Sequence, residues 1–277
     1  MAGCQFAADP TGSTFTVMSF NIRNGKANDG ANSWPNRREL VSGVIQEYDP
    51  DVVGLQEAFR FQLDHLAEDL PQYTEIGEGR AGGTEDEYCA ILYRTDRFDL
   101  IDSGTFWLSD TPEKVSKTWG HYHYRVCTWA HLKDLGTGQA FYLYNTHFDH
   151  QSQPARLNSA KLIRQCIADR PTKDPVIVTG DINAGEDNPV IAILKAEDSP
   201  VPLRDTFRVL HPDVKDVGTT NGRYTGKRDG AKIDYVLVGP GIQTLEAVID
   251  QVPRNGKYPS DHYPVTATIR FKPVAGR

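Results

Sequence analysis

A chain of 277 residues, 39% hydrophobic and 24% charged, has ample apolar material for a core and lacks the bias of a disordered polymer. No apolar run approaches the roughly 20 residues that cross a bilayer. A formal charge of −7 sets the surface against bulk binding of polyphosphate chains unless a metal or a local basic patch intervenes.

The four cysteines (Cys4, Cys89, Cys127, Cys166) are far apart and form no CxxC pair, which fits free thiols better than a zinc site or a disulfide framework. The opening Met1-Ala-Gly-Cys4 lacks the apolar stretch of a signal peptide, so as written the chain reads as cytoplasmic. Ala-Gly before a cysteine also matches the end of a bacterial lipoprotein leader. If such a leader has been trimmed, Cys4 is the lipidated residue of an envelope protein. Residues 1–12 read as a flexible lead-in and residues 13–277 as a single domain, expected to be monomeric.

In chain order, Phe15–Phe20 alternates and is β-rich, a strand ending at Asn21. Trp34–Tyr48 has helical spacing, with Pro35 in its first turn. Asp51–Gln56 is a buried strand ending in the carboxylate of Glu57, followed by a helix over Phe59–Leu70. Residues 77–87 are Gly-rich and acidic, a loop. Cys89–Tyr93 and Phe98–Ser103 read as paired strands. The stretch Phe106–Tyr124 is long, with aromatics at Trp107, Trp119 and Tyr122 and histidines at His121 and His123; an insert of this length in a compact domain is more often functional than not. The two histidines read as a polar rim rather than a metal pair. Arg125–Leu132 and Ala140–Thr146 are strands, the second running into His147, Asp149 and His150. Gln153–Arg170 carries an apolar stripe of Leu157, Ala160, Ile163 and Ile167 and reads as a helix. Val176–Gly180 is a buried strand ending in Asp181-Ile-Asn183, which on an extended backbone places a carboxylate and an amide on one side. Pro189–Ala196 is a short helix, residues 200–232 are loop-rich, Ile233–Val238 is a strand carrying Asp234, and Ser260-Asp-His262 precedes a last strand, Val265–Phe271. Strands outnumber helices and many neighbours look antiparallel, an α+β pattern of two packed sheets with helices outside.

Strand ends thus offer Asn21, Glu57, His147, Asp181 with Asn183, Asp234, and Asp261 with His262. Each alone is explained by a turn or a cap. Together they supply oxygen donors for a hard cation, which needs only one or two carboxylates, and they lack the tight His/Cys cage of zinc.

The stretches Met18-Ser-Phe-Asn-Ile-Arg23, Gly54-Leu-Gln-Glu57, Asn145-Thr-His147, Thr179-Gly-Asp-Ile-Asn183, Lys232-Ile-Asp-Tyr-Val236 and Ser260-Asp-His262 resemble, in order, those of the endonuclease/exonuclease/phosphatase superfamily, bacterial metal-dependent hydrolases included. The resemblance implies a deoxyribonuclease-I-like four-layered α/β/β/α sandwich and phosphoester hydrolysis with Mg²⁺ or Mn²⁺, Ca²⁺ being a possible substitute. It implies Glu57 as main metal ligand with Asn21 beside it and Asp261 near the metal. Asp181, helped by Asn183, would position the attacking water. His262, oriented by Asp234, would contact the scissile phosphate or serve as general base, and His147 would be the second phosphate-facing histidine, the two imidazoliums supplying positive charge. Arg125 falls where similar proteins contact phosphate, with a surface ion pair as the equal alternative. Glu87 resembles an acidic position near the metal. Asp149 shares the side of His147 or caps a turn. Trp119 and Tyr224, with Trp107 and Tyr122, either stack on a sugar or base or pack their loops.

Nothing in the chain resembles a long basic element for a DNA groove or an apolar membrane hairpin. The expected substrate is therefore a small phosphorylated molecule; the alternatives are a DNA or RNA nuclease of the same superfamily and a non-catalytic binding protein on this fold.

Overall fold

The computed structural model describes residues 14–272, so the lead-in 1–12 and Cys4 lie outside the described residues. One sheet contains β1 (Thr14–Asn21), β2 (Val52–Gln56), β3 (Tyr73–Ile76), β4 (Ile91–Arg94), β11 (Ile242–Ile249) and β12 (Val265–Phe271). The other contains β5 (Phe98–Trp107), β6 (Val126–Asp134), β7 (Ala140–His147), β8 (Val176–Asp181), β9 (Arg204–Asp205) and β10 (Asp234–Val238). Their strand orders are β11-β12-β1-β2-β4-β3 and β5-β6-β7-β8-β10-β9. The helices are α1 (Trp34–Tyr48), α2 (Arg60–Asp69), α3 (Gln153–Asp169), α4 (Pro189–Lys195) and α5 (Thr206–Leu210).

Side-chain alternation explains the layering. Along β1, Phe15 and Val17 point into the core between the sheets, while Met18 and Phe20 point outward to Val41, Ile45 and Leu63 of α1 and α2. Along β8, Ile177 joins the inner core, and Val176 and Val178 meet Ala160, Ile163 and Ile167 of α3. Central strands covered on both faces are apolar throughout, which is why they read as continuous hydrophobic runs. The result is the expected four-layered α/β/β/α sandwich. Among the described residues, Cys89, Cys127 and Cys166 are free thiols, and no helix is long and apolar enough to cross a membrane.

Two parallel pairs set up the site. β1 and β2 are parallel, as are β7 and β8. Parallel neighbours need a crossover, which α1 and α3 supply. Each unit therefore brings two C-terminal strand ends side by side: Asn21 aligns with Gln56, next to Glu57, and His147 aligns with Asp181. Antiparallel β10 adds Asp234 directly opposite Asp181.

Several sequence expectations are corrected. β4 and β5 do not pair with each other; they fall in different sheets, and the turn between them is a crossover from one layer to the next. β3, β9, α5 and β11 were not expected. β11 is an edge strand whose Thr244–Glu246 bulge breaks the alternation that would have revealed it. Asp234 opens its strand instead of standing second in it.

Candidate active site

Just below the strand ends the two sheets are tied by a buried polar network. Asn145 of β7 donates to the carbonyls of Leu55 and Ala90, both at 2.8 Å, and accepts from Gln56 Nε2 at 2.7 Å and Thr179 Oγ1 at 3.1 Å. Gly54 leaves room for it: a Cβ there would sit 2.2 Å from Thr179 Oγ1 and 2.6 Å from Asn145 Oδ1. This seam fixes the height of one sheet against the other.

Above the seam lies a cleft of about 380 Å³, lined by acids, arginines and imidazoles. Its acidic end holds Glu57, Asp181 and His262, each offering a ligand atom within 4.8 Å of the others. Asn21 lies fully buried beneath them and donates Nδ2 to Glu57 Oε1 and Asp181 Oδ2, both at 3.1 Å. Its oxygen is turned to the Arg23 backbone N–H, so in this arrangement Asn21 bridges two acids and does not present an oxygen to the cluster. Glu57 takes a left-handed backbone, φ 62°, immediately after β2, which swings its carboxylate back to accept from Asn24 N at 2.8 Å. Asp261 faces Arg23 Nε at 3.7 Å.

The extended Asp-x-Asn geometry is not what forms. The strand stops at Asp181, and Asn183 is left-handed with φ 50°. Its N–H closes a tight turn onto Asp181 Oδ1 at 2.9 Å, and its Nδ2 is anchored on the Phe148 carbonyl. Both residues still line the cleft.

The surroundings push the two histidines beside Asp181 in opposite directions. His262 Nδ1 donates to Asp234 Oδ2 at 2.9 Å, leaving Nε2 toward Asp181 at 3.9 Å. Burial opposes its protonation, but Asp234 and then Asp181 outweigh it and hold the ring well above its ordinary value. His147 Nε2 is 3.4 Å from Asp181, yet burial and the nearby Arg125 and Arg80 push it well below. Of the expected pair of imidazoliums, the surroundings favour the charged form at His262 and the neutral form at His147. Burial and Asp234 raise Asp181 to about 7, and burial with the Glu57 charge raises Glu87 to about 7. Asp261 is also raised, chiefly by burial. Burial works on Glu57 in the same sense, but His262, Asn21, the Asn24 N–H and Arg23 together hold it below its ordinary value.

The opposite wall is basic. Arg80 is ion-paired to Glu87 at 2.7 Å and to Asp86 at 2.9 Å, and Glu87 also accepts from Asn24 Nδ2. Arg125 is 3% exposed; Nη2 donates to His150 Nδ1 at 3.2 Å, and its buried Nε has no partner. Since arginine only donates, His150 must accept there and is neutral.

Three candidates stand away from the cleft. Asp149 spends its oxygens on the N–H groups of Gln151, Ser152 and Tyr122, so it caps a turn and anchors the 108–125 loop. Trp119 packs beside the outer core of the second sheet and donates to Asp110. Tyr224 is tucked into its own turn by Asn221, its hydroxyl buried. The cleft gains Arg23, Asn24, Arg80, His123 and His150. Arg23 and His150 sit in stretches the sequence had flagged; Arg80 lies in a loop whose glycines and acids gave no signal for it.

A family model described as "Endonuclease/Exonuclease/phosphatase family" matches residues 18–262. An endonuclease/exonuclease/phosphatase family protein from Bacteroides thetaiotaomicron has a solved structure similar to this one, with a TM-score of 0.86 and 31% identity over 94% of this chain and 99% of that one. A mannosyl-6-phosphatase from the same organism gives a TM-score of 0.84 and 32% identity, covering 93% of this chain and 100% of that one. An uncharacterised protein of Acanthamoeba polyphaga mimivirus is 27% identical over 208 residues, 71% of this chain and 74% of that protein.

Proposed function

The chain belongs to the endonuclease/exonuclease/phosphatase family, and from that membership we infer that it is a divalent-metal-dependent phosphomonoesterase acting on a small phosphorylated sugar. The observation that carries this reading is the juxtaposition, in one cleft, of the Glu57–Asp181–His262 cluster with the incompletely partnered, buried Arg125. A buried cation with free donors fits an anion brought by the substrate. The size of the cleft suits a small ester, and the similarity to a mannosyl-6-phosphatase favours a sugar phosphate.

The donor set fits a hard divalent ion. Burial first, and then the charge of a neighbouring acid, disfavours the ionised forms of Asp181, Glu87 and Asp261 despite the cations beside them. Glu57 would hold the ion, with Asp181 and Asp261 at its side; Mg²⁺ or Mn²⁺ would neutralise developing phosphate charge.

The chain's own groups account for the rest. Asp181, which lines the cleft beside His262, takes the proton from a water aimed at phosphorus, and Asn183 orients that water. His262, kept charged by Asp234, stabilises the phosphate oxygens as the P–O ester bond breaks, and the sugar oxygen leaves as the alcohol with a proton from solvent water. His147 is neutral, so it serves as a hydrogen-bond partner and not as a charge. Arg125 grips the remaining oxygens.

The test is turnover of hexose 6-phosphates beside plasmid DNA, single-stranded DNA and RNA, with Mg²⁺ or Mn²⁺ and with EDTA. Release of phosphate that EDTA abolishes is expected. Cleavage of polynucleotides with no release from any monoester would move the chain to the nuclease side of its family.

A further inference from the structure

Beyond its acidic end, the cleft has a wall of rings. His123 and His150 both line it, stacked with centroids 6.0 Å apart and planes at 26°. Tyr122 abuts both edge-to-face, 4.6 Å from His123 and 6.0 Å from His150. The residue is 58% exposed. The other aromatic candidates are committed elsewhere: Trp107 is buried and donates to the Arg80 carbonyl, and Trp119 and Tyr224 are packed as described.

An exposed tyrosine on a long loop is ordinarily free to swing. This one is tethered through its backbone. Tyr122 N donates to Asp149 Oδ2 at 2.9 Å, Lys117 Nζ donates to its carbonyl at 3.0 Å, and Ser152 Oγ donates to the Trp119 carbonyl at 3.1 Å. The loop thus holds an apolar face beside the cleft at little further ordering cost to a ligand.

We propose that Tyr122, His123 and His150 form the subsite for the leaving group, a hydroxylated pyranose-like ring whose C–H face lies on the tyrosine while the His123 imidazole bonds its hydroxyls and His150 backs that imidazole. The proposal rests on the monoesterase reading and extends it to the non-phosphate half of the substrate. Burial, Arg80 and Arg125 hold His123 down to about 4, so the neutral ring offers one donor and one acceptor, matching a sugar hydroxyl. His150 is held on both sides, accepting from Arg125 at Nδ1 and lying 3.1 Å from the Gln151 side-chain amide at Nε2, so it fixes the wall behind His123. The arrangement offers one ring face with hydroxyl partners next to it, not the two-sided slot that would clamp a base.

Tyr122→Ala and Tyr122→Phe are compared with the unmodified chain on a hexose 6-phosphate, on the acyclic ester glycerol phosphate and on a nucleoside 5′-monophosphate. Tyr122→Ala is expected to raise KM for the hexose ester roughly tenfold, with a far smaller effect on the acyclic ester and on kcat; Tyr122→Phe is expected to behave as the parent. Equal effects on hexose and acyclic esters, no effect at all, or a Tyr122-dependent effect confined to the nucleotide would overturn the subsite. Saturation transfer from aromatic protons to a free hexose separates the two readings. If no monoester is turned over, the monoesterase reading falls. The subsite then stands only if the hexose signal is present in the parent and lost in Tyr122→Ala.

Discussion

Asp181 shows what the candidate site asks of a single side chain. Burial and the neighbouring Asp234 lift it from 3.8 to about 7, so the folded chain keeps a proton that the unfolded chain has released. Stability is therefore lost as pH rises from about 4 to about 7, and the penalty is complete above that. Asp181→Asn removes it. In EDTA the variant is expected to melt higher than the parent at pH 8 and alike near pH 4, while turnover falls roughly 10²–10³-fold. Added Mg²⁺ should shrink the gap in melting temperature, because a cation relieves the same charge. A variant that melts below its parent at pH 8 in EDTA would contradict this account of the cluster. The residues of this cluster were legible because each ends or begins a hydrophobic strand, where a lone polar side chain stands out. Arg80 and Asn24 were not, because loops place them by turns and ion pairs that leave no periodic trace.

The 108–125 loop and its neighbours have their own pH signature. His121, His123, His147 and His150 are all held below the ordinary histidine value, first by burial. For such groups the unfolded chain binds more protons, so their contribution is present above about 6.5 and is lost as pH falls toward about 4. Across that window His123→Gln is expected to lose less of its denaturation midpoint than the parent as pH falls; an unchanged slope would mean that the ring is charged in the fold. The pairing of strands is argued in the same way, from neighbours. Gly54→Ala drives a methyl into Thr179 and Asn145 across the sheet seam and should destabilise by roughly 1–3 kcal/mol in urea titration. Helices α1 and α3 were readable almost to the residue, since caps and apolar stripes are local. The assignment of β4 and β5 to separate layers was not, since adjacency in sequence says nothing about which sheet a strand joins.

At the scale of the molecule, the second sheet is one uninterrupted segment, β5 through β10, whereas the first is assembled from both ends of the chain. Asn21 and Glu57 belong to the first and His147, Asp181 and Asp234 to the second, with His262 entering just before β12. Loss of turnover in urea should therefore coincide with loss of far-ultraviolet ellipticity; catalysis lost well before the fold would show a site looser than its scaffold. β12 lies between β11 and β1, pairing Thr14 with Arg270. A polypeptide emerging from the ribosome thus carries a completed rear layer and an open front one until residues near 271 are translated. Nascent chains stalled just after His262 hold every acid of the cleft, yet have no closing strand to gather them.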